Sequence, residues 1–192
     1  MKNIIIFGAP GSGKGTYSEE IVNKYHMGHI STGDVLRAQI KAGTELGKTA
    51  KGYIDNGQLL PDELMIDILA DAYDSFPEGQ GVIFDGFPRT IPQAEALKEM
   101  LAKRGHEMGM MIELIVGEDV LMERLLKRAE IEGRADDNEE TIRKRFAVYH
   151  SQTAPLSEWF AKEGIRNTFS WAELGTKEGM LEAIFKTIDE QA

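Results

Sequence analysis

The chain's 192 residues, 42% of them hydrophobic, suffice for one full core with small inserted segments and not for two independent domains. A net charge of -10, from 22 basic and 32 acidic residues, excludes a broad nonspecific grip on nucleic acid, so any anionic ligand must be met by a local basic pocket. Cysteine is absent, which rules out disulfides and cysteine-ligated zinc, and no apolar run approaches the roughly 20 residues of a membrane span. The expectation is a soluble, cytoplasmic protein without a cleaved leader.

In chain order, Ile4-Ile5-Ile6-Phe7 predicts a buried strand that runs straight into Gly8-Ala9-Pro10-Gly11-Ser12-Gly13-Lys14-Gly15-Thr16. Glycines at 8, 11, 13 and 15 open backbone angles closed to other residues, so successive N–H groups can turn toward one anion while Lys14 adds a point charge at the rim. That is a phosphate cradle, and a nucleoside triphosphate is the expected guest. The pattern departs from the general P-loop in placing Gly15, not Ser or Thr, directly after the lysine. Thr16 supplies a hydroxyl one residue later, so magnesium is expected to rest mainly on phosphate oxygens and oriented waters. A helix is predicted from about Lys14, its N-terminus facing the phosphates, with Ile21 and Val22 toward the core.

A short strand around Gly28 to Ile30 leads into segment 31–60, where Gly33, Gly43, Gly47, Gly52 and Gly57 punctuate short helical stretches. This is the pattern of a small helical insertion with several hinges. Pro61-Asp62 signals a helix start, and Leu64, Met65, Ile68, Leu69 and Ala72 share one face of that helix. Val82-Ile83-Phe84 predicts a strand closed by Asp85, in the run Asp85-Gly86-Phe87-Pro88-Arg89-Thr90. An acid at a strand's carboxyl edge stands where open parallel sheets bind ligands, and Asp85 is a second partner for magnesium.

Leu97, Met100 and Leu101 mark another helical face, and Met110 to Val116 a further strand. Arg124 and Arg128, four residues apart on a predicted helix, share a face and can project toward one polyphosphate. A second break, from about Arg128 to Asn138, precedes a helix capped by Asp137 or Asn138, on which Ile142, Phe146 and Tyr149 form the apolar stripe with Arg145 at its margin. A weaker strand, Ile165 to Phe169, and a docked helix bearing Leu181, Ile184, Phe185 and Ile188 complete the chain. His26, His29, His106 and His150 lack metal-ligand spacing and receive no role, and Trp159 and Trp171 are read as packing residues.

Taken together, the P-loop, Ile30-Ser31-Thr32-Gly33-Asp34 with Arg37, Asp85 to Arg89 with Gln93, and Arg134-Ala135-Asp136-Asp137 resemble the adenylate kinase family in order and spacing over nearly the whole chain. The resemblance implies an α/β, three-layer P-loop NTPase fold with a parallel sheet, and reversible phosphoryl transfer from MgATP to AMP giving two ADP. It implies a monomer whose partners are those nucleotides, not nucleic acid or membrane. It divides the chain into a P-loop core (1–30, 61–127 and 138–192), a helical monophosphate-binding insertion (31–60) and a short lid (128–137), and the short lid implies no structural zinc.

By the same resemblance Gly11, Ser12, Gly13, Lys14, Gly15 and Thr16 would hold the ATP phosphates, with Arg128 at the lid edge and Lys177 touching the ATP adenine through its backbone. Thr32, Arg37, Gln58, Leu59 and Leu60 would form one wall of the AMP pocket, and Gly86, Phe87, Pro88, Arg89 and Gln93 the other. Lys14, Arg89, Arg124, Arg128, Arg134 and Arg145 would surround the transferring phosphates, Arg134 and Arg145 also from the AMP side, and Asp85 would hold magnesium through water. The Gln93 amide offers one donor and one acceptor side by side, which complements an adenine edge. Two positions depart from the family pattern, Tyr17 where glutamine is common and Gln58 where some relatives are basic.

A kinase of the same fold preferring CMP, UMP or GMP is the nearest alternative, and Thr32 and Gln93 argue for adenine against it. A non-catalytic switch or sensor is the other alternative. For a guanine switch, Asn23-Lys24-Tyr25-His26 lacks the closing aspartate of the guanine signature.

Overall fold

A strand covered on both sides can be apolar at every position, and Ile4, Ile5, Ile6 and Phe7 follow that logic in the computed structural model, which describes residues 2–134 and 137–191. The elements run β1 (Asn3–Gly8), α1 (Lys14–Tyr25), β2 (Gly28–Ser31), α2 (Thr32–Ala42), α3 (Glu45–Asp55), α4 (Asp62–Asp74), β3 (Val82–Asp85) and α5 (Ile91–Ala102). They continue with β4 (Met108–Ile115), α6 (Glu118–Glu132), α7 (Glu139–Val148), a π-helical turn (Tyr149–Thr153), α8 (Pro155–Lys162), β5 (Arg166–Ser170), α9 (Trp171–Leu174) and α10 (Lys177–Gln191).

The five strands form one sheet in the order β2-β3-β1-β4-β5, and every pairing is parallel. Alternate residues of β1 feed two cores. Ile5 and Phe7 pack with Leu69 of α4, Leu97 and Leu101 of α5 and Phe160 of α8, while Ile4 and Ile6 pack on the other face with Ile21 of α1 and Ile184 and Ile188 of α10. This is the expected three-layer arrangement. Because all strands point one way, the P-loop after β1, Thr32 after β2 and Gly86 after β3 open on the same carboxyl edge. The ladder begins earlier than hydropathy alone suggests: Asn3 pairs with Met108, so β4 starts there and ends at Ile115, leaving Val116 outside. No described helix is long and apolar enough to cross a membrane.

In the segment after β2, α2 and α3 pack against each other as a pair. Gly43, with φ 68°, closes α2, and the Thr44 hydroxyl caps α3 by accepting the Gly47 N–H at 3.0 Å. Gly33, Gly47 and Gly52 lie inside the two helices rather than in breaks between them. Gly47 instead permits close approach: a side-chain carbon there would stand 2.1 Å from the Gln39 carbonyl oxygen. Gly47→Ala is therefore expected to destabilise the protein by about 1–3 kcal/mol. Gly52→Ala, where a side chain would meet nothing within 4 Å, should stabilise it by about 0.5–1 kcal/mol. Denaturant unfolding of the two variants checks the opposite signs.

The second break is shorter than expected on its N-terminal side. Ala129-Glu130-Ile131-Glu132 are sound helix formers and α6 runs through them to Gly133, whose φ of 63° ends it, so Arg128 lies within a helix. Ala135 and Asp136 of the expected lid lie outside the described residues. Asn138, not Asp137, caps α7 by accepting the Thr141 N–H at 2.9 Å. Tyr149 continues the stripe of Ile142 and Phe146 from the π-helical turn rather than from α7 itself, packing on Phe7.

Candidate functional site

Between Gly8 and Lys14 the chain must turn against the helix that follows, and Gly13, with φ 100°, makes that turn as the N-cap of α1. Only Gly11 and Gly13 of the four loop glycines adopt left-handed angles. Gly8 is needed for space, since a side-chain carbon there would stand 2.6 Å from Ser12 Oγ, and Gly15 is an ordinary helical residue beside Asp85. Ser12 also departs from expectation. It is buried and its N–H donates to the Ala9 carbonyl at 3.0 Å, so it builds the turn and does not face the ligand space.

Gly11, Gly13, Lys14, Gly15 and Thr16 line a cleft of about 810 Å³, onto which the N-terminus of α1 opens. Lys14 Nζ donates to the carbonyls of Gly8, at 3.0 Å, and Ala9, at 3.2 Å. Burial lowers its pKa to about 7; Asp85 opposes that shift and the cations Arg89, Arg145 and Arg128 reinforce it. Asp85 is 7% exposed at the end of β3, with Oδ2 3.4 Å from His29 Nε2. It is one hard oxygen donor on the cleft wall, which suits a magnesium ion carried mainly by phosphates and waters. Among the described residues no group of three or more acidic or histidine side chains could hold a metal by itself.

All six singled-out arginines line this cleft, together with Lys177. Arg37 pairs with Asp34 at 2.6 Å, Arg134 with Glu132, and Lys177 with Glu20 at 3.0 Å. Arg124 and Arg128 do share a face but serve different partners. Arg124 lies 4.5 Å over the Trp171 ring and reaches the Gly11 carbonyl at 3.4 Å, whereas Arg128 forms a two-pronged pair with Asp137 at 2.6 and 2.7 Å. Arg145 reaches the same Asp137 at 3.0 Å.

A narrower cavity opens beside the cleft, between α2, α3 and α5. Thr32, Gln58, Leu59, Leu60 and Gln93 line it, and Gly33, Arg37, Gly86, Arg89 and Arg145 line both it and the cleft. Of the expected wall, Phe87 is instead a core residue at 2% exposure, and Pro88 borders an inner space with Lys14 and Tyr149. The strand end turns their side chains inward while Gly86 and Arg89 face the cavity. Arg89 Nε donates to the Gly86 carbonyl at 2.8 Å. Gln93, also buried, accepts the Arg89 N–H on Oε1 at 2.8 Å and donates from Nε2 to Asp62 at 2.7 Å.

Four residues at this site had no site role in the sequence reading. Asp137 is fully buried yet holds two arginines; the sequence shows it only as the last residue of the Arg134 to Asp137 motif and as a rival to Asn138 for the cap, with no partner indicated. Asp62 looked sufficient as a helix-start acid. His29 and Trp171 reach the cleft because β2 and β5 end at the same sheet edge, which sequence spacing does not display.

The adenylate kinase family model matches residues 6–165. Curated relatives named adenylate kinase include one from Bacteroides fragilis, 65% identical over 189 residues, spanning 98% of this chain and 99% of that protein. One from Bacteroides thetaiotaomicron is 64% identical over 190 residues, 99% of this chain and all of that protein. Another, from Phocaeicola vulgatus, is 72% identical over 164 residues, 85% of this chain and 87% of that protein.

Proposed function

The chain belongs to the adenylate kinase family, and on that premise we propose that it transfers a phosphoryl group reversibly from MgATP to AMP, giving two ADP, at the seam between the P-loop cleft and the cavity of the insertion. One observation carries the residue assignment: Arg37, Arg89 and Arg145 line both the P-loop cleft and the cavity of the insertion. Cations shared by two chambers belong where two phosphate chains meet.

In this reading ATP lies along the P-loop with its γ-phosphoryl group toward that seam, and AMP enters the cavity bounded by Thr32, Gln58, Leu59, Leu60 and Gln93. Arg37 and Arg89 grip the AMP phosphate. An oxygen of that phosphate attacks the γ-phosphorus in line, a new P–O bond forms, and the bond to the β–γ bridging oxygen breaks with its electron pair leaving on ADP. The attacking oxygen is already anionic, so no protein nucleophile or strong base is needed. Catalysis is positioning and charge neutralisation by Lys14, Arg89, Arg124, Arg128, Arg134 and Arg145, with Asp137 bridging Arg128 and Arg145. Magnesium held through water by Asp85 would neutralise phosphate charge. Arg124 stands at the P-loop, by the Gly11 carbonyl, and Lys177 borders the cleft where the ATP adenine would sit. Segment 128–137 would act as the lid that excludes water as a competing acceptor. We also assign the working enzyme as a monomer of the cytoplasm.

The test is incubation with MgATP and, separately, AMP, CMP, UMP and GMP, followed by chromatography of the products. Rapid ADP formation that depends on AMP supports the proposal. Preference for another monophosphate would overturn the roles of Thr32 and Gln93, and ATP binding without transfer to any acceptor would overturn the catalytic reading.

A further inference from the structure

We infer that Asp62 is a positioning residue for base recognition: it fixes which end of the Gln93 amide faces the base, and so sets discrimination between 6-amino and 6-oxo purine monophosphates. This rests on the proposal that Gln93 reads the AMP base. Gln93 is 2% exposed, so its amide has no bulk water to reorganise around it. Its Oε1 accepts the Arg89 N–H at 2.8 Å and its Nε2 donates to Asp62 Oδ1 at 2.7 Å.

These two neighbours are not interchangeable. A backbone N–H can only donate and a carboxylate can only accept, so a flipped amide would set NH₂ against N–H and oxygen against carboxylate. The orientation shown is the one that both partners permit. After these two bonds the amide keeps one lone pair on Oε1 and one N–H on Nε2, an acceptor and a donor in fixed order. An adenine edge answers that order with its 6-amino donor and the neighbouring ring-nitrogen acceptor. In a 6-oxo purine an oxygen replaces the amino donor, and on the pairing edge a ring N–H replaces the acceptor. Both contacts then oppose like with like, and a buried polar mismatch of that kind is how a site rejects a close analogue.

An amide free to rotate would accept either base. The Arg89 N–H belongs to the backbone, so Asp62 is the half of the lock that a side chain supplies. It stands at the first residue of α4, directly after the insertion, and reaches across to α5. Its chain position also satisfies the positive end of its helix, which disguises the second role.

The experiment measures kcat/KM for AMP and for inosine monophosphate, with saturating MgATP, in the full-length parent, Asp62→Asn, Asp62→Glu and Gln93→Ala. Asparagine can meet either end of the glutamine amide, whereas glutamate keeps an acceptor-only group. The expected result is an AMP-to-inosine preference about tenfold lower in Asp62→Asn, arising in the KM for the monophosphate, with the KM for ATP unchanged and the preference largely retained in Asp62→Glu. A parental preference in Asp62→Asn, or equal losses on both substrates, would overturn the inference while a lowered preference in Gln93→Ala leaves base reading by Gln93 standing. A parental preference in Gln93→Ala would show that the underlying reading itself fails.

Discussion

Replacing Lys14 with methionine is expected to lower kcat about a thousandfold, the scale associated with losing a charge-stabilising group at a transferring centre, while the protein stays folded. The side chain sits half-buried among Arg89, Arg128 and Arg145, and among the described residues its amine donates to the Gly8 and Ala9 carbonyls and to no acid. Its pKa accordingly falls from 10.5 to about 7. The folded protein then binds fewer protons than the unfolded chain between those two values, so this group's contribution to stability improves as pH rises from 7 toward 10.5 and is least favourable below 7. Methionine, of similar length and uncharged, escapes that dependence. Its melting temperature relative to the parent should be most favourable near about pH 6 and lose that advantage by about pH 9.5. Isotope-edited spectra of the lysine amines supply the direct check: one amine titrating near 7 without ligand, moving upward when tripolyphosphate is added. An amine that titrates with the ordinary lysines in the free protein would overturn the argument. The polyanion thus finds a corner that is uncomfortable for cations until it arrives, and the energy withheld from folding is available for binding.

How much of this was legible depends on whether the physics was local. Continuous apolar runs such as Ile4 to Phe7 reveal parallel strands because both sheet faces are covered, and the P-loop shows itself because a tight turn into a helix leaves a residue trace in Gly11 and Gly13. Element ends were less visible. Hydropathy falters at Met108-Gly109 although the ladder with Asn3 continues there, and α6 passes through a charged stretch that reads as loop until its helix propensity is weighed. Hidden altogether were partnerships between distant acids and the groups they hold. Asp62 and Gln93 are 31 positions apart, and a local explanation for the acid, a favourable helix start, was complete in itself. Asp137 is concealed in the same way by a neighbouring cap. Motif glycines proved ambiguous for a further reason: Gly8 and Gly47 are small because something lies close, not because the backbone bends.

Arg89→Ala is expected to lower kcat about 10²- to 10³-fold and to raise the KM for AMP about tenfold, with the KM for ATP nearly unchanged. The asymmetry follows from where the residue stands. Arg89 borders both spaces and is anchored through Nε to the Gly86 carbonyl at 2.8 Å, which holds its guanidinium where the cleft and the cavity meet. ATP keeps Lys14 and the loop amides when Arg89 is removed, whereas AMP loses one of the two arginines assigned to its phosphate. The larger loss falls on turnover because charge spreads over the equatorial oxygens only as the phosphoryl group moves between donor and acceptor. Arg89→Lys should recover less than about a tenth of the lost activity, since an ammonium keeps the charge but has neither the planar fork nor the anchoring Nε that fixes its direction. Steady-state kinetics varying each nucleotide in turn decide the matter. A lysine variant close to the parent would mean that charge alone suffices at this position, and equal rises in both KM values would mean that Arg89 supports the fold of the whole cleft rather than the acceptor.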